Sequence, residues 1–138
     1  MSERGTYENR KRGKQLLRFD GMNYLQNITP TDIDGLIDVR DKVLVLFEAK
    51  LADKECPFGQ KLALERLIMD AYKAGKHAIC IIGEHNITDP DCDVFLKDLI
   101  AREVYDTEYK AWKPMKKTMT VKELADWYIR RFYTEGDL

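Results

Sequence analysis

Five consecutive apolar residues, Val43-Leu44-Val45-Leu46-Phe47, constrain this chain more than any other feature. Strand side chains alternate between two faces, so a run that is apolar at both parities has no face to give to water. It belongs in the middle of a sheet covered on both sides, and something must pack from each direction. Just before it, residues 33–39 are also rich in Ile, Leu and Val, and only Arg40-Asp41-Lys42 intervenes, the spacing of a hairpin. After it, Leu64, Leu67, Ile68 and Ala71 recur at three- and four-residue spacing within residues 60–74, and Gly75 offers a stop, which predicts a helix. Residues 77–83 (HAICIIG) then form a short apolar strand, so strand, helix and strand follow in the order of a right-handed parallel crossover. The core reads as α/β.

The flanking elements are less sharply written. Residues 8–19 carry Arg10, Lys11, Arg12, Lys14 and Arg18 around Leu16 and Leu17, the pattern of a basic leading helix interrupted by Gly13. Residues 22–25 are short and apolar enough for an edge strand before the break at Pro30. Residues 95–105 (FLKDLIAREVY) fit both a helical and a partly alternating pattern, and a strand from Ile100 paired with residues 109–112 is preferred. Thr120 followed by Glu123 is a capping box, and Val121, Leu124, Ala125, Tyr128 and Phe132 line one face of a terminal helix. With 138 residues, no internal repeat and no linker, a single domain is expected.

Composition narrows the partners. Twenty-three Lys and Arg against 24 Asp and Glu leave a net charge of −1, so affinity for a polyanion must come from local arrangement. Cys56, Cys80 and Cys92 are odd in number and lack CxxC spacing, and neither His77 nor His85 completes a zinc pattern; reduced, mostly buried thiols are expected. No apolar run approaches the roughly 20 residues of a membrane span, and the basic N-terminus lacks the apolar stretch of a secretory signal. The expectation is a cytoplasmic protein with no membrane partner.

Acidic residues cluster where the hairpin strands meet. Asp34 opens the first strand and Glu48-Ala49-Lys50 closes the second. Period-two alternation puts Glu48 and Lys50 on one face, and a three-residue loop at 40–42 pairs Asp34 with Glu48. Carboxylates about 5 Å apart across such a pair repel unless a cation sits between them. Oxygen-only ligation suits Mg²⁺ or Mn²⁺. Lys50 beside them is placed to orient a nucleophilic water and to stabilise charge on a phosphorane-like transition state. Asp32 shares the parity of Asp34 but lies further from Glu48, so alternation favours Asp34 as the ligand and leaves Asp32 an accessory role.

These residues resemble the PD-(D/E)XK nuclease superfamily, whose motif is an Asp at the start of one strand and a Glu-x-Lys at the end of the next. Asp34 with Glu48-Ala49-Lys50, then Gln60 opening a helix and an apolar strand, looks like the restriction-endonuclease-like αβββαβ core of small phage-type, VRR-type and Holliday-junction-resolvase members. The likeness covers residues 8–83 with the leading helix included, and leaves 84–138 as a C-terminal hairpin and helix. It implies a divalent-metal nuclease, with DNA the substrate and endonuclease action favoured, and it matches Gln60 to a glutamine that many members place at this helix start. Some members use a Glu of the first helix, for which Glu8 is the candidate. Pro30 does not directly precede Asp34, a departure from the family pattern.

Phosphate contacts are expected from Arg10, Lys11, Arg12 and Lys14 of the leading helix and from the N-terminus of the Gln60 helix. Lys113, Lys116 and Lys117 near Trp112, and Arg130 and Arg131 beside Trp127, are further places where phosphates or bases can be held, though most such charges are simply solvated. His85 reads as a loop histidine. Cutting both strands of a duplex with one site per chain favours a homodimer. An E-x-K tripeptide is common, and the rival reading is a non-catalytic nucleic-acid-binding or assembly protein that keeps the fold.

Overall fold

In a computed structural model that describes residues 19–25 and 28–133, the doubly apolar run lies within β2 (Val43–Leu51), flanked on both sides by other strands. The chain falls into two compact units, residues 1–32 and 33–138. In the second, a five-stranded mixed sheet runs β1 (Gly35–Val39), β2, β3 (His77–His85), β4 (Ile100–Asp106) and β5 (Ala111–Pro114) in chain order. The pairs β1–β2, β3–β4 and β4–β5 are antiparallel, while β2 and β3 are parallel and joined by helix α1 (Phe58–Lys73). Helix α2 (Val121–Phe132) follows β5.

Each parity of the apolar run has its own cover. Val43, Val45 and Phe47 pack with Ile79, Ile81, Leu99 and the α2 residues Val121, Leu124 and Ala125. Leu46 packs on the other side with Ala78, Cys80 and the α1 residues Leu64, Ile68 and Ala71. The sheet therefore has an α1 face, with even-numbered β2 residues, and an α2 face, with odd-numbered ones. Glu48 and Lys50 are even, which commits the candidate chemistry to the α1 face.

Local signals act as the sequence suggests at several points. Gly75 ends α1 at φ +94°, a conformation that costs a side-chain-bearing residue energy. The Thr120 side chain accepts from the Glu123 N–H, and the Glu123 carboxylate accepts from the Thr120 N–H, closing the capping box at α2. Cys56 and Cys80 are buried, Cys92 is exposed, and all three are free. No helix among the described residues is long and apolar enough to cross a membrane.

Four expectations are corrected. Residues 22–25 form no edge strand: Tyr24 and Ile28 make an isolated antiparallel bridge whose N–H groups donate to each other's carbonyls at 2.7 and 2.8 Å, so the backbone groups close locally. As a result, two strands precede α1 among the described residues, where the αβββαβ order has three; the leading helix lies outside the described residues apart from Phe19, which is not helical. β1 starts at Gly35 instead of Ile33, because the Asp34 carboxylate takes the Ala49 N–H that the edge ladder would otherwise use. The last hairpin strand starts at Ala111 and not Tyr109, since Asp106 Oδ1 accepts from the Glu108 and Tyr109 N–H groups and folds residues 107–110 into a turn.

Between β3 and β4 the register slips: Gly83 faces Ala101, but Ile82 faces Glu103. Arg102 is the extra residue of a β-bulge. The slip changes which face each later residue takes, so Ala101 packs on the α2 face while Tyr105 reaches the α1 face.

Candidate active site

The three-residue loop that joins β1 to β2 places Arg40 and Asp41 at φ +48° and +64°, with the Lys42 N–H donating to the Val39 carbonyl. From there the register runs Val39↔Val43 to Gly35↔Phe47, and one further step sets Asp34 beside Glu48. Asp34 Oδ2 accepts the Ala49 N–H at 2.7 Å, which pins its carboxylate to the β2 backbone. One carboxylate oxygen of Asp34 and one of Glu48 lie within 4.8 Å of each other.

Glu48 is 2% exposed and is the one buried charged residue among those described. Its Oε1 accepts from Gln60 Nε2 at 2.7 Å and faces Lys50 Nζ at 3.4 Å. Its Oε2 is buried and has no hydrogen-bond donor. Burial first, and then the neighbouring Asp34 charge, push the Glu48 carboxyl up to about 7, against the pull of Lys50 and Gln60. Ion pairing is otherwise balanced on this part of the sheet: Glu84 has Arg102 at 3.5 Å and Glu103 has Lys61 at 2.7 Å. Asp34 and Glu48, by contrast, are two carboxylates with Lys50 as their one close cation among the described residues.

Gln60 sits in the first turn of α1, and its Oε1 accepts from the Cys56 thiol at 3.4 Å. That contact fixes the sense of the amide: with oxygen toward the thiol, the NH₂ group faces Glu48. Burial raises the Cys56 pKa, so the thiol keeps the proton it donates. A relay of Cys56, Gln60 and Glu48 Oε1 thus holds the glutamate with Oε2 left over.

Asp34, Glu48, Lys50 and Gln60 are brought together as the sequence suggests. Asp32 is exposed and ends the first unit. Glu8, Arg10, Lys11, Arg12 and Lys14 lie outside the described residues. His85, expected in a loop, is instead the last residue of β3, opposite Leu51, because the parallel pairing with β2 runs on past Gly83; its Nδ1 accepts from the Ile87 N–H at 3.1 Å. Lys113 pairs with Asp106 and lies over the Tyr109 ring, and Arg131 lies over Trp127. Two contributors escaped the sequence reading. Cys56 stands four residues before Gln60, a spacing that is a usable signal, whereas Arg102 has none, because its direction depends on the bulge.

No family model, no curated protein and no solved structure matches this chain. The case for a function therefore rests on the site itself. An orphaned buried Oε2 beside a second carboxylate, with oxygen donors only, fits a hard divalent cation: one more positive charge would satisfy the atom and cancel the repulsion.

Proposed function

We propose that this protein is a divalent-cation-dependent nuclease, hydrolysing phosphodiester bonds in DNA by endonucleolytic attack of water, with a PD-(D/E)XK-type site. The observation that carries the reading is the buried, partnerless Glu48 Oε2 set against Asp34 at the end of a strand that also presents Lys50. Asp34 and Glu48 would hold Mg²⁺ or Mn²⁺, and Asp32, two residues before Asp34 in the chain, is the reserve donor. When bound, such a cation supplies positive charge to a phosphate and makes water more acidic.

The chain's own groups do the remaining work. Lys50 stands beside Glu48 Oε1 as an ion pair at 3.4 Å, and its ammonium protons can orient a water and meet charge developing on a phosphate oxygen. Gln60 fixes the Glu48 rotamer so that this oxygen does not wander between partners. The half-buried position of Lys50 raises the value of its charge relative to one in open water.

Incubation with circular single-stranded DNA, duplex DNA and RNA, each with Mg²⁺, Mn²⁺ or EDTA, tests the reading. Cleavage of closed circles with a divalent cation and none with EDTA is expected. Lys50→Ala should still bind Mn²⁺ in a calorimetric titration yet cleave at least ~10²-fold more slowly, the scale of losing one electrostatic stabiliser. A wild-type chain that binds no divalent cation and cuts none of these substrates refutes the nuclease and leaves the non-catalytic binding protein.

A further inference from the structure

The β-bulge between β3 and β4 is a departure from regular pairing that needs a cause. Its extra residue, Arg102, has no register partner on β3, and its side chain reaches toward the end of β2. There Nη1 donates to the Lys54 carbonyl at 2.7 Å, and Nη2 donates to the Leu51 and Ala52 carbonyls at 3.0 and 3.4 Å and meets Glu84 Oε2 at 3.5 Å. Bulges re-aim side chains in this way, and a planar guanidinium can meet carbonyls and a carboxylate together.

Glu84 is the residue that gives the arrangement its meaning. It is the register partner of Lys50 on the neighbouring parallel strand, so the two project from the same face on strands about 5 Å apart. Lys50 thus has two carboxylates within reach of its flexible stem: Glu48, two residues back on its own strand, and Glu84, across the ladder. It faces Glu48 at 3.4 Å, and Arg102 occupies Glu84. We propose that Arg102 is a positioning residue which, by neutralising Glu84, keeps the Lys50 ammonium on Glu48 and so at the acidic pair. This rests on the nuclease reading for its consequence in catalysis, but the placement of Lys50 is measurable without it.

The test separates charge allocation from simple clamping of the 51–54 turn. Arg102→Gln can still donate to a carbonyl but leaves Glu84 uncompensated. Glu84→Gln removes the competing charge. The full chain carrying each substitution, and both, is followed by the NMR signal of the Lys50 ammonium, assigned by its loss in Lys50→Arg, and by steady-state cleavage of duplex DNA with Mg²⁺. Arg102→Gln is expected to move the Lys50 signal and to lower kcat about tenfold with KM changed less than about twofold. Glu84→Gln alone should stay near wild type in both measurements, and the double variant should recover the wild-type signal and most of kcat. A double variant as impaired as Arg102→Gln, or an Arg102→Gln chain that fails to fold with or without Glu84→Gln, assigns the arginine to the fold and overturns the proposal. An unmoved Lys50 signal in Arg102→Gln overturns it too. Absence of cleavage by the wild type would count against the nuclease, while the Lys50 signal would still decide the allocation.

Discussion

Replacing Glu48 with Gln should stabilise the protein at neutral and alkaline pH, and by an amount set by the site. The glutamine keeps an oxygen for Gln60 Nε2 and Lys50 Nζ, and its amide can donate to Asp34 where Oε2 has no donor at all. Folding raises the Glu48 carboxyl from its usual value near 4.5 to about 7, mainly through burial and then through Asp34. The folded protein therefore binds this proton more tightly than the unfolded chain. The stabilisation linked to that proton is full below pH 4.5 and is lost as pH rises to about 7, amounting to about 3 kcal/mol at ~1.4 kcal/mol per pH unit. Urea denaturation in EDTA from pH 5 to pH 8 checks the sign and the window. The advantage of Glu48→Gln should grow across that range and level off above pH 7, reaching a midpoint shift on the order of 2 M for a urea slope of about 1.5 kcal/mol/M. Mg²⁺ at ten times its dissociation constant should return ~1.4 kcal/mol to the wild type at pH 8 and much less to the variant. A stability difference that does not change with pH, or a wild type that is the more stable protein at pH 8 without metal, would refute the reasoning.

Three smaller perturbations probe the surroundings. Cys56→Ala removes the donor that fixes the Gln60 amide and should weaken Mn²⁺ binding about tenfold by calorimetry, with Cys56→Ser restoring most of it. At Gly83 an added Cβ would lie 2.6 Å from Val121 Cγ2 and 3.0 Å from Leu99 Cβ, so Gly83→Ala should cost about 1–3 kcal/mol in a denaturation experiment. Thr120→Ala breaks the capping box at α2 and should cost about 1 kcal/mol while leaving Mn²⁺ affinity unchanged, because α2 packs on the face opposite Glu48.

Much of the second unit is legible in residue order because its signals are local. A short run apolar at both parities, rich in Val and bounded by turn residues, reads as an inner strand, a three-residue loop fixes which residues of a hairpin face each other, and Thr120 with Glu123 marks a helix start wherever the helix packs. From these alone Asp34, Glu48 and Lys50 are expected together at one end of the hairpin, and in the folded chain the Asp34 and Glu48 carboxylates lie within 4.8 Å of each other with Lys50 3.4 Å from Glu48. Residues 95–105 were ambiguous for an equally physical reason. A 3₁₀ turn at Leu96–Asp98 and the bulge at Arg102 break the period of two, so neither a helical nor a strand template fits the whole segment.

Tertiary structure alone decided the rest. That Glu48 is buried, that its Oε2 lacks a donor and that its proton is held up to about 7 depend on α1 closing over the sheet and on a second carboxylate arriving from β1. That Cys56 sets the sense of Gln60, and that Arg102 meets Glu84 and the carbonyls of the 51–54 turn, depend on groups brought together from distant positions, Arg102 and Leu51 being 51 residues apart. Residue order specifies which face a side chain takes through backbone geometry, which is local. The charge, solvation and hydrogen-bond partners of that side chain are set by whatever else the fold delivers to the same few ångströms, and no local pattern encodes them.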